Sequence, residues 1–387
     1  EGWIHAQNAG GSWACSQVID RLTTFYLDTK VQGGDHFPAG AAGLAAQDRA
    51  RSALARWLGV APDEVHIGPS TAANTTALAA AFGEALGPGD AAIVTNLDHE
   101  ANSGAWRDLA ARGVQVREWQ VDPETASLSL DDLDALLDDD VALVAFPHVS
   151  NIVGQVLPVA DIAARAHAVG AVAIADGVAA APHAIPDVDA LGVDVYLFST
   201  YKTFGPHQGV MVVRRDLAQR LPNQGPFFYD DVPEKWFLPA GPDHAQVAAI
   251  VGVTAYLDGL VDHHLGSDLQ MPDRRRRLTD VVTAHEDRLL APILDLVRNR
   301  PGVVVAGTPD ATTRVPTLSL VTEQDPAALA AALADRRIMA ASGHFHAWRL
   351  VEALGIEPTR GVLRISLVHY NTPDESRRIV EGLDAVL

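Results

Sequence analysis

A lysine placed directly after an apolar run is a candidate nucleophile, and this chain has one closing Asp194-Val-Tyr-Leu-Phe-Ser-Thr-Tyr-Lys202. Desolvation beside a buried strand favours the neutral amine, which attacks aldehydes. Upstream, the run Ala171-Val-Ala-Ile-Ala-Asp176 ends in a carboxylate. A lysine that can form an imine and an aspartate facing a pyridinium nitrogen are the two groups that pyridoxal 5'-phosphate (PLP) most requires of a protein. The pair predicts a PLP enzyme.

Two further apolar runs end in polar groups of the same kind. Ala91–Thr95 is followed by Asp98-His99-Glu100-Ala101-Asn102, and Val141–Phe146 by Ser150-Asn151, with Gly154 and Pro158 beyond. In an open parallel sheet, ligands sit beyond the carboxyl ends of the strands, so these groups converge. Lys202 would hold the cofactor and carry the substrate Cα proton, and Asp176 would keep the ring nitrogen protonated. His99 would stack on the ring face, and Asn151 would bond the ring hydroxyl. For the phosphate, Gly68-Pro-Ser70-Thr71-Ala-Ala-Asn74 opens an Ala-rich helix with hydroxyls and free N–H groups at its start. Ser199 and Tyr201 could complete that cradle, although helix capping alone explains Ser70 and Thr71 equally well.

The elements that must position these residues follow from the alternation of apolar runs with Ala-rich stretches. Ala91–Thr95, Val141–Phe146, Ala171–Ala175 and Val195–Phe198 read as strands; Ala105–Arg112 and Asp161–Val169 read as helices. The alternation implies an α/β fold with a mostly parallel sheet covered on both faces. Gln208–Arg214 reads as a further strand, antiparallel to the others. Beyond Gln246 the pattern is helical, through Val247–Val261 and Arg274–Arg298. A smaller α+β portion follows: strands Val303–Ala306, Thr317–Val321 and Val362–Leu367, with helices Pro326–Arg336 and Pro373–Leu387. The pattern predicts a large domain over 12–260 and a small one over 261–387, with residues 1–11 packing near the latter.

Composition narrows the partners. With 48% hydrophobic and 20% charged residues over 387 positions, the chain can bury a large core and carries no disorder signature. The net charge of −20 argues against nucleic-acid and anionic-membrane surfaces. The one basic run, Arg274–Arg277, reads as the solvated face of a helix. A single cysteine, Cys15, allows neither an intrachain disulfide nor a cysteine metal cluster. His263-His264 and His344-x-His346 lack acidic partners at ligand spacing, so no metal site is predicted. No apolar run reads as long enough to span a bilayer, and no signal peptide is visible, so a cytoplasmic enzyme is expected. The Gly-x-Gly-x-x-Gly fingerprint of nicotinamide dehydrogenases is missing after an early strand.

Taken in order along nearly the whole chain, Asn8-Ala9-Gly10-Gly11, His99, Asn151-x-x-Gly154, Asp176-Gly177, Ser199-x-x-Lys202, Arg364-x-Ser366 and Tyr370-Asn371-Thr372 resemble one family. It is the class V aminotransferase family of fold type I PLP enzymes, in particular its cysteine desulfurase-like branch. The resemblance implies a seven-stranded, mostly parallel sheet in the large domain, a homodimer and a small amino-acid substrate. It implies that Arg364 clamps the substrate carboxylate, and that Ala9 and Gly10 belong to an N-terminal active-site turn. In the same branch a mobile loop carries a sulfur-accepting cysteine; here that loop is Ala341-Ser-Gly-His344-Phe345-His346-Ala347, with His346 at the cysteine's place. Ala179 replaces a glutamine that bonds the ring hydroxyl, and Ala341 a second substrate-binding arginine. Pro242 replaces a threonine that reaches the partner subunit's phosphate; Asp243 beside it would repel that phosphate unless it points away, and His244 could substitute.

These departures argue against persulfide-forming desulfuration and leave β-elimination open. The expected activity is a C–S lyase acting on an S-substituted cysteine, giving pyruvate, ammonia and a thiol. His346 or His344 would protonate the departing sulfur, since histidine titrates near neutrality. Phe345 and Trp348 suggest a roomier pocket, with Phe227, Phe228, Tyr229 and Trp236 at its entrance. Transamination of a small amino acid uses the same lysine, aspartate and arginine and is the alternative reading; decarboxylative deamination of a cysteine conjugate is the third.

Overall fold

The computed structural model describes residues 2–308 and 313–387. Its strands, in chain order, are β1 (Ile4–His5), β2 (Val65–Gly68), β3 (Ala91–Thr95), β4 (Gln115–Trp119), β5 (Val141–Pro147), β6 (Val172–Asp176), β7 (Val195–Ser199), β8 (Gly209–Val213), β9 (Val303–Val305), β10 (Thr317–Thr322), β11 (Ile338–Met339), β12 (Ala341–Gly343) and β13 (Val362–Ser366). Seven of them form one sheet in the order β2-β8-β7-β6-β5-β3-β4. Within it β3 to β7 run parallel, and β8 runs antiparallel to both neighbours.

The apolar runs form strands because both faces of this sheet are covered. Successive residues go to opposite sides: Ile93 packs in one cluster with Val144, Phe146 and Phe198, while Ala92 and Val94 pack in another with Leu143, Ile174 and Leu197. Helices supply the facing layers. Leu54 and Leu58 of Pro38–Leu58 and Ile162 of Val159–Ala168 join the first cluster, and Leu78 and Phe82 of Thr71–Ala85 join the second.

The C-terminal part holds a four-stranded antiparallel sheet, β12-β13-β10-β9, covered by Asp273–Arg298 and Pro373–Val386. The N-terminal segment belongs to this lobe. Strand β1 pairs parallel with β11, and Gln7 bridges Ser366.

Several expectations need correction. The helix expected over Ala105–Arg112 starts at Glu100 and ends at Arg107, with a 3-10 turn over Asp108–Arg112. It starts early because the His99 Nδ1 atom accepts the Ala101 N–H at 3.0 Å and caps the helix. The basic run is only partly solvated: Arg274 and Arg275 are buried. Arg274 is paired with Asp258 and Asp262, and Arg275 with Asp187. The helical stretch His244–Leu265, of mean hydropathy 1.3, is long and apolar enough by composition to cross a membrane, contrary to expectation. Here it packs as a core element against Ser16–Asp28 and Pro38–Leu58.

Candidate active site

Strands β3, β5, β6 and β7 deliver their carboxyl ends to one cavity, lined among others by Ser70, Thr71, Asp98, His99, Asn151, Asp176, Ser199, Tyr201 and Lys202. The residues expected at the cofactor are thus brought together from positions up to 132 apart in sequence, Ser70 to Lys202.

Asp176 ends β6 and is buried, with Oδ1 accepting the Val178 N–H at 2.8 Å. Burial pushes its carboxyl up to about 6, and Lys202 pulls the other way. A cation held against it would restore the ionised form. Lys202 is buried, and its amine has no hydrogen bond or ion pair among the described residues. Burial, and then the charge of Arg364, lower that amine to about 8. The His99 ring accepts through Nδ1, so the proton sits on Nε2. Burial, and then the charges of Lys202, His346 and Arg364, hold its imidazole down to about 3. It is neutral at any working pH.

At the other end of the cavity, Ser70 Oγ caps Thr71–Ala85 by accepting the Ala73 N–H at 3.1 Å, and Thr71 Oγ1 lies 2.7 Å from Ser199 Oγ. Capping and cavity lining therefore coexist at Ser70. Gly209 lets the strand after Lys202 meet this helix start backbone to backbone: a Cβ there would fall 2.2 Å from the Ser70 carbonyl carbon. The Tyr201 ring stacks on His207 at 4.5 Å. An unpaired buried amine, a buried carboxylate with a raised affinity for protons and a helix N-terminus rich in hydroxyls fit PLP's aldehyde, ring nitrogen and phosphate.

Arg364 enters from β13 in the other lobe and is 2% exposed. Nη1 donates to the Asn151 carbonyl at 3.0 Å, Nε has no partner, and no carboxylate pairs with it among the described residues. Burial lowers its guanidinium to about 9. A buried cation left without a counter-ion is costly, and marks a place for an anionic ligand. The turn containing Ala9 and Gly10 is fixed beside it. The Ala9 N–H donates to Ser366 Oγ at 2.8 Å, Tyr370 OH donates to Asn8 Oδ1, and Asn8 Nδ2 reaches the Ser366 carbonyl at 3.0 Å. The Ser12 N–H then donates to the Tyr201 carbonyl, which joins this turn to the lysine's.

The segment after β12 forms a strap that touches two lining residues, His99 and Asn151. Its own His344, Phe345, His346 and Trp348, like Arg364, Ala9 and Gly10, lie outside the cavity lining. His346 is exposed, with its ring 5.0 Å from that of His99. His344 Nδ1 accepts the His346 N–H at 3.2 Å, and its ring lies against Trp348. Asn151 Nδ2 donates to the Phe345 carbonyl at 2.9 Å, and the Glu100 N–H to the His346 carbonyl at 2.8 Å. One Asn151 amide hydrogen thus ties the strap rather than meeting a ring hydroxyl.

Other expectations are not met. Phe227 and Phe228 are 82% and 66% exposed, pack on each other, and like Tyr229 and Trp236 lie outside the cavity lining. Asp243 Oδ1 accepts the Gln246 N–H and caps His244–Ala249, so this carboxylate is turned to its own helix. Cys15 sits half-buried at the start of Ser16–Asp28, with its thiol directed at the Gly252 carbonyl. Two lining groups had no role in the sequence reading. Asp98 is buried with Oδ1 unpartnered, and His207 backs Tyr201. Asp98 lies beside His99 in the polar group that follows β3, whereas His207 falls between the Lys202 motif and the strand after it.

A family model described as Aminotransferase class-V matches residues 4–234 and 276–379. The chain is 33% identical over 397 residues to the "Aminotransferase-like protein FGM3" of Gibberella zeae, covering 99% of this chain and 94% of that protein. It is 32% identical to the "Nonribosomal peptide synthetase-like enzyme fsqF" of Aspergillus fumigatus, spanning all of this chain but 26% of that much longer protein. An apo structure of a cysteine desulfurase from Thermococcus onnurineus superposes with a TM-score of 0.87 at 21% identity, over 99% of this chain and 94% of that one. That likeness shows the fold.

Proposed function

The chain belongs to the class-V aminotransferase family of PLP enzymes, and on that premise we propose that it is a C–S lyase acting on S-substituted cysteines. The overall change converts the cysteine thioether and water to pyruvate, ammonia and a free thiol. Bound PLP supplies the electron sink that weakens bonds to the substrate Cα. Lys202 would be its attachment point, Asp176 the partner of its ring nitrogen, His99 the ring packed on its face, Asn151 a neighbour of its ring hydroxyl, and Ser70, Thr71, Ser199 and Tyr201 its phosphate donors.

This chain's own groups do the rest. Arg364 holds the substrate carboxylate, with Nε and Nη2 free to grip it, and so fixes which Cα bond stands ready to break. Lys202, neutral in part at neutral pH, takes the Cα proton. The electron pair of that C–H bond forms the Cα–Cβ double bond as the Cβ–S pair leaves with sulfur. His346, on the strap beside His99, gives the sulfur its proton. Ala9, Gly10 and His344 border the substrate's path.

One observation carries elimination over sulfur transfer. The strap sets an imidazole, His346, beside His99 of the cavity, while the chain's only thiol, Cys15, is directed at the Gly252 carbonyl. Incubation of the holoenzyme with S-methylcysteine and no keto acid tests it: pyruvate and methanethiol are expected. A strict keto-acid requirement turns the assignment to transamination, the reading favoured by the aminotransferase-like name of the 33% identical relative. An aldehyde with carbon dioxide would turn it to decarboxylative deamination. We also propose a homodimer, because Ile19, Tyr26, Leu27, Val31, Phe37 and Leu44 leave a contiguous stretch of chain with large apolar side chains exposed. Light scattering at twice the monomer mass is expected.

A further inference from the structure

We infer that Phe345 is a positioning residue for the carboxylate clamp, which ties the strap carrying His346 to recognition of the substrate's α-carboxylate. The inference rests on the reading of Arg364 as that clamp. The Phe345 ring lies over the Arg364 guanidinium, its centroid 3.6 Å from Cζ. A flat cation held at this distance over an aromatic face resists tilting away from that face and gains a desolvated partner. Its other restraint is a single bond, Nη1 to the Asn151 carbonyl, and the same Asn151 donates through Nδ2 to the Phe345 carbonyl. Phe345, Arg364 and Asn151 thus form a closed three-membered circuit that joins the paired strands β12 and β13 to the loop after β5.

The strap's backbone is bent to make that circuit. Phe345 and His346 both adopt left-handed conformations, at φ 48° and 59°, which only glycine adopts readily. The His346 carbonyl is pinned by the Glu100 N–H, one residue from His99. The bend aims the Phe345 ring at the guanidinium while leaving the His346 ring next to His99. A carboxylate on Arg364 therefore meets a guanidinium whose plane the strap has set, and the strap's pose depends on that same stack.

The test compares Phe345→Leu, which keeps apolar volume without a π face, with Phe345→Tyr, which keeps the face. The probes are 2-aminoisobutyrate, which has no Cα hydrogen to lose, and isopropylamine, which lacks the carboxylate. Binding to the holoenzyme is read by cofactor absorbance and by tryptophan fluorescence. Phe345→Leu should raise Kd for 2-aminoisobutyrate about tenfold, between the effects of an exposed and of a fully desolvated cation–π contact. It should leave isopropylamine unchanged, and Phe345→Tyr should restore wild-type affinity. With S-methylcysteine the loss should fall on KM more than on kcat. Wild-type affinity in Phe345→Leu, or equal weakening of both probes, would overturn the inference, as would a Phe345→Tyr variant as weak as Phe345→Leu. Neither probe contains sulfur and 2-aminoisobutyrate has no Cα hydrogen, so its Kd reads binding whether the enzyme eliminates or transaminates.

Discussion

Asp176 ends β6 and Lys202 closes the 3-10 turn Thr200–Lys202 directly after β7, two strands buried at every residue, whereas Phe345 and His346 lie between a three-residue, half-exposed β12 and the short helix Trp348–Ala353. The first pair is placed by a sheet whose register cannot slip without turning a row of apolar side chains out of the core. The second is placed by a few hydrogen bonds, a ring stack and two strained residues. A rigid support suits a cofactor whose chemistry is fixed, and an adjustable one suits the choice of substrate and bond. On the function proposed above, the choice of reaction falls to the strap side.

Changes on the two sides should differ in kind, and the largest belongs to the sheet side. Lys202→Ala should remove the visible chromophore of the holoenzyme and lower turnover by about 10³-fold or more, since one residue serves as attachment point and base. Retained colour and activity would break the contrast at its strongest point. Next, His346→Ala should keep the chromophore and lower kcat for S-methylcysteine about 10²-fold, the lower range for a lost general acid. Added imidazole should recover part of it, and unchanged kinetics would remove His346 from the mechanism. Arg364→Ala should leave the colour intact and raise Kd for 2-aminoisobutyrate about 30-fold, with little effect on isopropylamine.

The smallest effect is on pH. Lys202 is lowered to about 8, so its neutral, nucleophilic fraction grows as pH rises through that value. Capture of PLP by apoenzyme should accelerate about tenfold between pH 7 and pH 9, as the neutral form rises from a minor to the major species. A rate flat over that range would mean that the amine is already neutral at pH 7.

The same contrast explains what could be read from the chain. Strands β3 and β7, with their terminal polar groups, stand out because a covered parallel strand is a nearly unbroken apolar run, and a ligand site must begin where the run stops. Strand β2 escaped notice because the buried His66 interrupts a short run, and β4 because four of its five residues are at least partly exposed at the sheet's edge. Arg274 and Arg275 misled for the opposite reason: a charge run reads as solvated until its carboxylates, Asp187, Asp258 and Asp262, are seen to fold against it. No local pattern could place Phe345 over Arg364 or under the Asn151 amide, since the first contact depends on the pairing of β12 with β13 and the second on how that sheet meets the loop after β5. The cofactor-side residues were legible from residue types and the substrate-side ones from the resemblance, whereas the contact of Phe345 with Arg364 came only with the structure.

The pairing of β1 with β11, and of Asn8 with Ser366 and Asn371, has a consequence for how the molecule is made. On the ribosome, Ile4 emerges long before Ile338, and at ordinary elongation speeds the delay is roughly 20 to 70 s. Throughout that interval β1 and Asn8 lack their native partners, while the seven-stranded sheet behind them can already collapse. The turn bearing Ala9 and Gly10 is therefore among the last parts of the site to lock, and a nascent polypeptide arrested before residue 338 should expose it to proteases.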